Sequence, residues 1–354
     1  MEQEKADCME TLITKLFGIK YPIILSGMTG VSTPELVAAV SNAGGLGIMA
    51  TGDLNKTEMR KAIKKIRMLT DKPFGANVPL LIPGSEKKAE ILFEEKVPVI
   101  NYSLGKGDWL VKKTHEYGGK VIATVVTHKH AKAAERDGAD ALIVTGHEAA
   151  AHGGAVTSLV LTPSIADAVN IPVIAAGGFA DGRGLAVALA LKAEGIAMGT
   201  RFMNTMESPV HENMKKQSIQ KTVHDTVYTD RIDGLPCRAM KSPGADNLIR
   251  SRFVLLRALF NSRAAARAYG FPWFKLALGI VFSGYRKAIA LARMANAFKP
   301  LQLAMVDGDI DQGVLLLGQV AGIVKDTPSV SELIERIIRE ARETNLALSE
   351  KMAF

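Results

Sequence analysis

Short apolar runs alternate with helical patterns eight times between residues 21 and 198, and this repeat limits the folds open to the chain. Each run is rich in Val, Ile, Leu and Ala and is followed by a polar or glycine turn. Apolar strands that alternate with helices form a parallel sheet buried on both faces. The runs are Tyr21–Leu25, Leu46–Met49, Phe74–Asn77, Val99–Tyr102, Lys120–Val126, Ala141–Val144, Pro172–Ala176 and Gly195–Met198. Eight such units favour a closed (β/α)8 barrel, although a long open sheet has the same spacing.

The repeat stops near residue 205, where the composition changes. We therefore predict a barrel core with the cofactor site over residues 10–205. Residues 206–330 are expected to form a helical lid or insertion subdomain, which includes a basic segment over residues 238–300. Residues 331–354 are expected to form a C-terminal helix that packs on the barrel.

The net charge of +8 is concentrated in that basic segment. Residues 238–299 hold twelve Lys and Arg against Asp246, a local charge of +11, so the rest of the chain carries −3. Such local basicity does not indicate a general nucleic-acid-binding protein. We favour a lid whose apolar residues, chiefly in Phe271–Phe282, pack on the barrel or on a second copy in a homodimer. Its basic face would then point to water. The less favoured interpretation is binding to an anionic membrane surface or an acidic carrier protein.

Two cysteines, Cys8 and Cys237, are too few for a disulfide framework or a multi-cysteine metal site. The charged N-terminus has no apolar core, and no apolar stretch reaches the length of a membrane span. These features favour a reducing, cytoplasmic location and no bound metal.

In a (β/α)8 barrel, the functional side chains gather where the strands end at their carboxyl side. Gly177 and Gly178 follow the seventh run, and Gly199 and Thr200 follow the eighth. Glycines allow backbone N–H groups to approach an anion, and a threonine adds a hydroxyl donor. Because these two loops form a common phosphate site in such barrels, we expect a phosphate here rather than simple turns.

Candidate acid–base chemistry lies in the loop after the sixth run, Gly146–Gly154. A neutral imidazole at His152 has the chemistry to remove a carbon-bound proton from a flat ligand, whereas His147 is more readily explained as a brace for the loop. Asn77 ends the third run, where its amide is expected to bond either a heteroaromatic ring edge or the neighbouring backbone.

Taken together, these motifs resemble the nitronate monooxygenase family, formerly called 2-nitropropane dioxygenases, and its relatives the flavin-dependent enoyl-ACP reductases and NADH:quinone reductases. The resemblance spans roughly residues 10–235 and 300–345. The motifs that carry it are Tyr21–Ile23 with Gly27–Met28, Ser41–Gly47, Lys72–Asn77, Gly146–Gly153, Ile171–Gly182, Met198–Phe202, Glu207–Ser208 and Gly318–Gly322.

The resemblance implies an FMN cofactor in the mouth of the barrel. It places Ser26, Gly27 and Met28 past the flavin ring, with Asn77 hydrogen-bonded to the ring. It places Ala151 and Gly153 along the flavin, and Gln319 near it. The phosphate would be taken by Gly177, Gly178, Gly199 and Thr200.

It also implies that His152 is the catalytic base of an enzyme that oxidises alkyl nitronates with O2. In the reductase relatives, the matching histidine supports reduction of an enoyl thioester by NAD(P)H, and quinones are further acceptors. A non-catalytic flavin-binding or membrane-surface protein is the alternative outside the enzymes. The chain has Leu25-Ser26 where the family often has Gln-Gly, and Ala150-Ala151 where it often has Gly-Gly. The added methyl groups narrow the expected pocket and argue against the usual small nitronate.

Overall fold

A closed barrel of eight parallel strands forms the centre of the protein. The structure, a computed structural model, describes residues 9–82, 84–150, 152–252, 254–255, 257–258 and 285–353. Strands β1 and β8 pair with each other and close the barrel, with Ile24 opposite Ala197. The strands are β1 Ile23–Leu25, β2 Leu46–Ala50, β3 Phe74–Pro79, β4 Val99–Ser103, β5 Lys120–Val125, β6 Ala141–Thr145, β7 Val173–Ala176 and β8 Gly195–Met198. The predicted (β/α)8 barrel is confirmed, and the open sheet is excluded.

Helix α1 Leu12–Phe17 precedes β1, and each strand is then followed by a helix in the predicted alternation. These helices are α2 Pro34–Asn42, α3 Lys56–Leu69, α4 Ser85–Glu94, α5 Asp108–Glu116, α6 His128–Arg136, α7 Ser158–Ala166, α8 Gly182–Ala190 and α9 Thr200–Met203. The start of α3 shows why they begin where they do. The side chain of Asn55 accepts hydrogen bonds from the first-turn N–H groups, and Glu58 bonds back to the N–H of Asn55.

Apolar side chains lie on both sides of the barrel wall. Because successive strand residues point to opposite faces, Ile24 joins an inner cluster with Ile48 and Ile174, whereas Ile23 and Leu25 pack outward against the helices. Helix α1 contributes to the inner cluster and contacts Gly195 at the start of β8. Helix α1 therefore closes the amino end of the barrel, and the carboxyl end is left as the mouth.

Beyond the barrel, the chain forms α10 Glu212–Ile219, β9 Thr226–Thr229, β10 Cys237–Met240, α11 Pro243–Ile249, α12 Tyr285–Gln302 and α13 Val330–Met352. Strands β9 and β10 pair antiparallel as a two-stranded ribbon, with Arg238 opposite Tyr228. We predicted only helices here. A four-residue strand that mixes polar and apolar residues, as β9 does, gives too short a pattern to identify.

The basic segment departs from the expectation in one respect. Arg238 was counted among the residues of a water-facing basic face, yet it is 4% exposed and bonds to neutral oxygens. The apolar stretch Phe271–Phe282 lies outside the described residues. Helix α12 does show a contact: an added Cβ on Gly234, in the turn between β9 and β10, would lie 2.6 Å from the carbonyl oxygen of Ala290.

Helix α13 lies against the outside of the barrel. Its buried residues include Leu333, Ile337 and Ala341, which share one face of the helix. A Cβ on Gly182 would lie 2.3 Å from the backbone nitrogen of Ala341, so only glycine allows α8 to approach this closely. None of the helices in the described ranges is both long and apolar enough to cross a bilayer.

Candidate functional site

The loops that the sequence predicts to form the site lie together at the mouth of the barrel. The backbone nitrogen of Ser26 donates to the carbonyl of Met198 at 3.1 Å, which joins the ends of β1 and β8. An added Cβ on Gly27 would lie 2.6 Å from Cβ of Asn77, so glycine is required where β1 passes β3. The sulfur of Met28 would lie 3.1 Å from a Cβ on Gly199. Residues far apart in the sequence are thus brought to one surface.

The ends of β7 and β8 present unpaired backbone donors. Gly177 and Gly178 have φ values of +96° and +86°, a conformation that favours glycine. In the part of the chain that the structure describes, the N–H groups of Gly177, Gly178, Gly199 and Thr200 donate to no protein acceptor. Four free donors on adjoining loops are the kind of groups that bind an anion.

Two side chains hold this donor set in place. The hydroxyl of Ser158 lies 2.7 Å from the carbonyl oxygen of Gly177. Because C=O and N–H point in opposite directions across a trans peptide, the N–H of Gly178 is directed away from Ser158. The hydroxyl of Thr200 accepts from the N–H of Gly318 at 3.0 Å, which leaves its own proton for a ligand.

Asn77 belongs to a chain of amides across the barrel mouth. Its Nδ2 donates to Oδ1 of Asn101 at 2.6 Å, and Asn101 in turn donates to Thr124 at 2.9 Å. This arrangement fixes the side chain of Asn77, and within the described residues its Oδ1 has no hydrogen-bond donor. A rigid free acceptor suits the N–H edge of a heteroaromatic ring.

The side chain of His152 is 29% exposed and lies between two acceptors from the turn that joins β9 and β10. Its Nδ1 is 3.3 Å from the carbonyl oxygen of Pro236, and its Nε2 is 3.4 Å from Oδ2 of Asp233. His147 instead bonds the carbonyl of Gly154 through Nδ1 at 2.9 Å, which is the bracing role considered for it.

The ribbon holds the loop of His152 at both ends. Arg238 donates two hydrogen bonds to the carbonyl of His147, and the hydroxyl of Tyr228 donates to the carbonyl of Gly153 at 2.8 Å. The rings of His147 and Tyr228 are in edge contact with centroids 4.5 Å apart. Sequence reasoning missed Tyr228, Asp233 and Arg238 as residues of this site. The Asp-Gly pair at 233–234 is a turn signal, but no sequence spacing connects it with residue 152.

The last candidates join the site through the backbone. The N–H of Gln319 donates to the carbonyl of Glu148 at 3.0 Å, and the half-buried Gln319 side chain is thereby placed beside the β6 loop. Ala151, which was expected along the flavin, lies outside the described residues. Among the residues that are described, no group of three His, Cys, Asp or Glu side chains is arranged to hold a metal ion.

The fold and the site define a class: a (β/α)8 protein whose strand ends bring free backbone donors, Asn77 and His152 to one mouth. The chain belongs to the nitronate monooxygenase family, whose sequence model matches residues 10–340. It is accordingly an oxidoreductase and a flavoprotein, which confirms the resemblance seen in the sequence.

This chain is similar to known proteins of more than one described activity. A (3aS,4S,5R,7aS)-5-hydroxy-7a-methyl-1-oxo-octahydro-1H-indene-4-carboxyl-CoA dehydrogenase of Mycobacterium tuberculosis is 39% identical over 342 residues, with 94% of this chain and 96% of the relative covered. A probable nitronate monooxygenase of Staphylococcus saprophyticus is 34% identical over 281 residues, with 66% of this chain and 79% of the relative covered. The solved structure of FabK from Thermotoga maritima is 37% identical with a TM-score of 0.80, and the match covers 97% of this chain and 100% of FabK.

Proposed function

We propose that this protein is an FMN-dependent oxidoreductase that acts on an acyl thioester of coenzyme A. The observation that carries the proposal is the contact between α12 and the turn that holds Asp233. Gly234 of that turn lies against Ala290 of α12, so part of the basic segment stands beside the turn that contacts His152. The segment over residues 238–300, which includes α12, is rich in Lys and Arg, and this composition suits the phosphate groups of coenzyme A, whereas a small nitronate needs no such charge.

The anion site supports FMN rather than FAD. The free N–H groups of Gly177, Gly178, Gly199 and Thr200 form one set of donors on two adjoining loops, here called the cradle, and we assign one phosphate group to it. The G-x-G-x-x-G pattern of dinucleotide sites does not follow β1, because Gly27 and Gly30 have a different spacing. Heat-released cofactor that runs as FMN on chromatography supports this assignment, and recovery of FAD would reject it.

His152 is the group we assign to proton transfer. Dehydrogenation of an acyl thioester removes a proton from the carbon next to the carbonyl, and enoyl reduction returns one there; a positioned imidazole has the chemistry for both. When bound, the flavin would accept or supply the two electrons for the bond change at the neighbouring carbon. We expect the flat ring to lie beside Asn77, whose free Oδ1 suits the N–H edge of the ring, and close to Gly27 and Gly199.

The similarities agree with this choice. The carboxyl-CoA dehydrogenase matches 94% of this chain, and the probable nitronate monooxygenase matches 66%. Nitronate oxidation with O2 is the second candidate. It is favoured by the family model over residues 10–340 and by the placement of His152.

Binding measurements test the role given to coenzyme A. The perturbation of the flavin spectrum gives the Kd of an acyl-CoA and of the same acyl group on pantetheine, which lacks the nucleotide phosphates. We expect the acyl-CoA to bind at least about tenfold more tightly at low salt, with the difference shrinking as salt screens the basic residues. Equal affinities at both salt concentrations would contradict the role given to the basic segment.

A further inference from the structure

We infer that Asp233 is the positioning residue for His152, and that the β9–β10 ribbon places Asp233 at the mouth of the barrel. Oδ2 of Asp233 lies 3.4 Å from Nε2 of His152, and the Asp233 side chain is 15% exposed. The carbonyl of Pro236, three residues further on, faces the other ring nitrogen. One turn therefore contacts both nitrogens of the imidazole.

Both partners are acceptors: Pro236 offers a carbonyl oxygen and Asp233 a carboxylate oxygen. A neutral imidazole has a single N–H, whereas an imidazolium has two. The ring can therefore keep the same orientation between these oxygens before and after it takes up a proton. A group that removes a proton from carbon and returns one needs the same orientation in both states.

The carboxylate itself is held in place. Its Oδ1 accepts from the N–H of Leu235 at 3.1 Å. Burial, followed by the charge of Asp233 and a hydrogen bond to it, raises the pKa of Cys237 to about 12, so this neighbour stays a neutral thiol. Gly234, at φ +92°, allows α12 to pack directly on the turn.

Other titratable groups near His152 have their own partners. On the ribbon, Arg238 bonds the carbonyl of His147, and the hydroxyl of Tyr228 bonds the carbonyl of Gly153. On the loop, the carboxylate of Glu148 accepts from the N–H of Ser158 at 2.9 Å. Among the described residues, Asp233 is the charged group paired with the imidazole.

The first test does not need the substrate. In the FMN-loaded protein, the ring signals of His152 are followed by NMR and assigned by their loss in His152→Ala. We expect Asp233→Asn, which removes the carboxylate that faces Nε2, to shift and broaden these signals, because the ring is no longer held in one orientation. Asp230→Asn is the matched control, because Asp230 lies in the same turn but pairs with Arg293 at 3.5 Å. Unchanged ring signals in Asp233→Asn would overturn the inference.

The second test rests on the proposed function and uses a double-mutant cycle in kcat. Asp233→Asn should lower kcat about 10–100-fold, with KM and flavin content little changed. In the His152→Ala background it should have almost no further effect. An equal loss in both backgrounds would show a merely structural role. Failure of acyl thioesters as substrates, with the NMR shift present, would reject the proposed function and leave the pairing intact.

Discussion

The guanidinium group of Arg238 donates two hydrogen bonds to the carbonyl oxygen of His147, from Nη2 at 3.0 Å and from Nε at 3.2 Å. This contact joins the ribbon to the first residues of the β6 loop. The bond from Tyr228 to Gly153 joins it to the last residues. The position of His152 between them is therefore set by a segment outside the barrel.

Arg238→Lys should loosen this loop. A lysine keeps the charge but cannot form the paired hydrogen bonds of the guanidinium. We expect the free energy of unfolding to fall by about 1–3 kcal/mol and kcat to drop with flavin still bound. Urea unfolding and steady-state kinetics measure both effects. Arg250→Lys, at an exposed position, is the control and should change neither; wild-type behaviour in Arg238→Lys would refute the anchoring role.

His152→Ala should leave the flavin spectrum unchanged and lower kcat by about 10²–10⁴-fold, since one positioned acid–base group is lost. His130→Ala, on the exposed side of α6, is the matched histidine control and should retain full activity. A fully active His152→Ala enzyme would remove this residue from the reaction.

Gly178→Ala should weaken flavin binding. Alanine at a φ of +86° costs about 1–2 kcal/mol and moves the N–H of residue 178 away from the phosphate. Loss of one charge-assisted hydrogen bond corresponds to a Kd about 10–100-fold higher. Gly118→Ala is the control, because Gly118 has a φ of +82° with open space around it and lies far along the chain from the cradle. Both variants should lose similar stability, and an equal loss of flavin affinity would contradict the assignment.

Asp326 gives a prediction for stability in acid. Hydrogen bonds from Arg336 and then from the buried Arg201 lower the pKa of this carboxyl below its ordinary value. A group with a lowered folded-state pKa stabilises the fold above its unfolded-state pKa, and the contribution disappears as the pH falls through the folded-state value. Asp326→Asn should therefore reduce the free energy of unfolding at pH 7 but have little effect well below pH 4.

Urea unfolding of wild type and Asp326→Asn at pH 7 and pH 3 checks this. Breaking a buried ion pair typically costs about 3–5 kcal/mol of stability. Asp326 is 44% exposed, so solvent screening weakens its pair with Arg201. We therefore expect the free energy of unfolding at pH 7 to fall by about 3 kcal/mol at most. Asp167→Asn removes an exposed partner of Lys192 and serves as the control. If Asp326→Asn lowers the free energy of unfolding by the same amount at both pH values, the predicted pH dependence is wrong.

The barrel was predictable because its signal is local and repeated. Each strand is a short apolar run, and each strand end carries its own candidate site residues, as Gly177–Gly178 and Asn77 show. Because the barrel brings the carboxyl ends of all eight strands to one side, residues at those ends can be predicted to lie close together.

The ribbon and its contacts were not predictable in the same way. Asp233 and His152 are separated by 81 positions, and no periodic pattern links a turn outside the barrel with a loop inside it. The charge count places Arg238 on a solvated basic face. A count of charges does not show that this side chain is buried or that it donates to the carbonyl oxygen of His147. Such contacts depend on how the chain returns to the mouth, which the sequence pattern does not express.

Anaerobic stopped-flow mixing of the FMN-loaded enzyme tests the central claim most directly. The flavin absorbance is followed after mixing with a panel of cyclic and linear acyl-CoA thioesters, and separately with alkyl nitronates, without nicotinamide. The reverse direction uses pre-reduced enzyme and the matching enoyl-CoA thioesters. We predict that a thioester bleaches the flavin or reoxidises its reduced form faster than any nitronate reacts. Rapid bleaching by a nitronate, with no response to thioesters in either direction, would contradict this account.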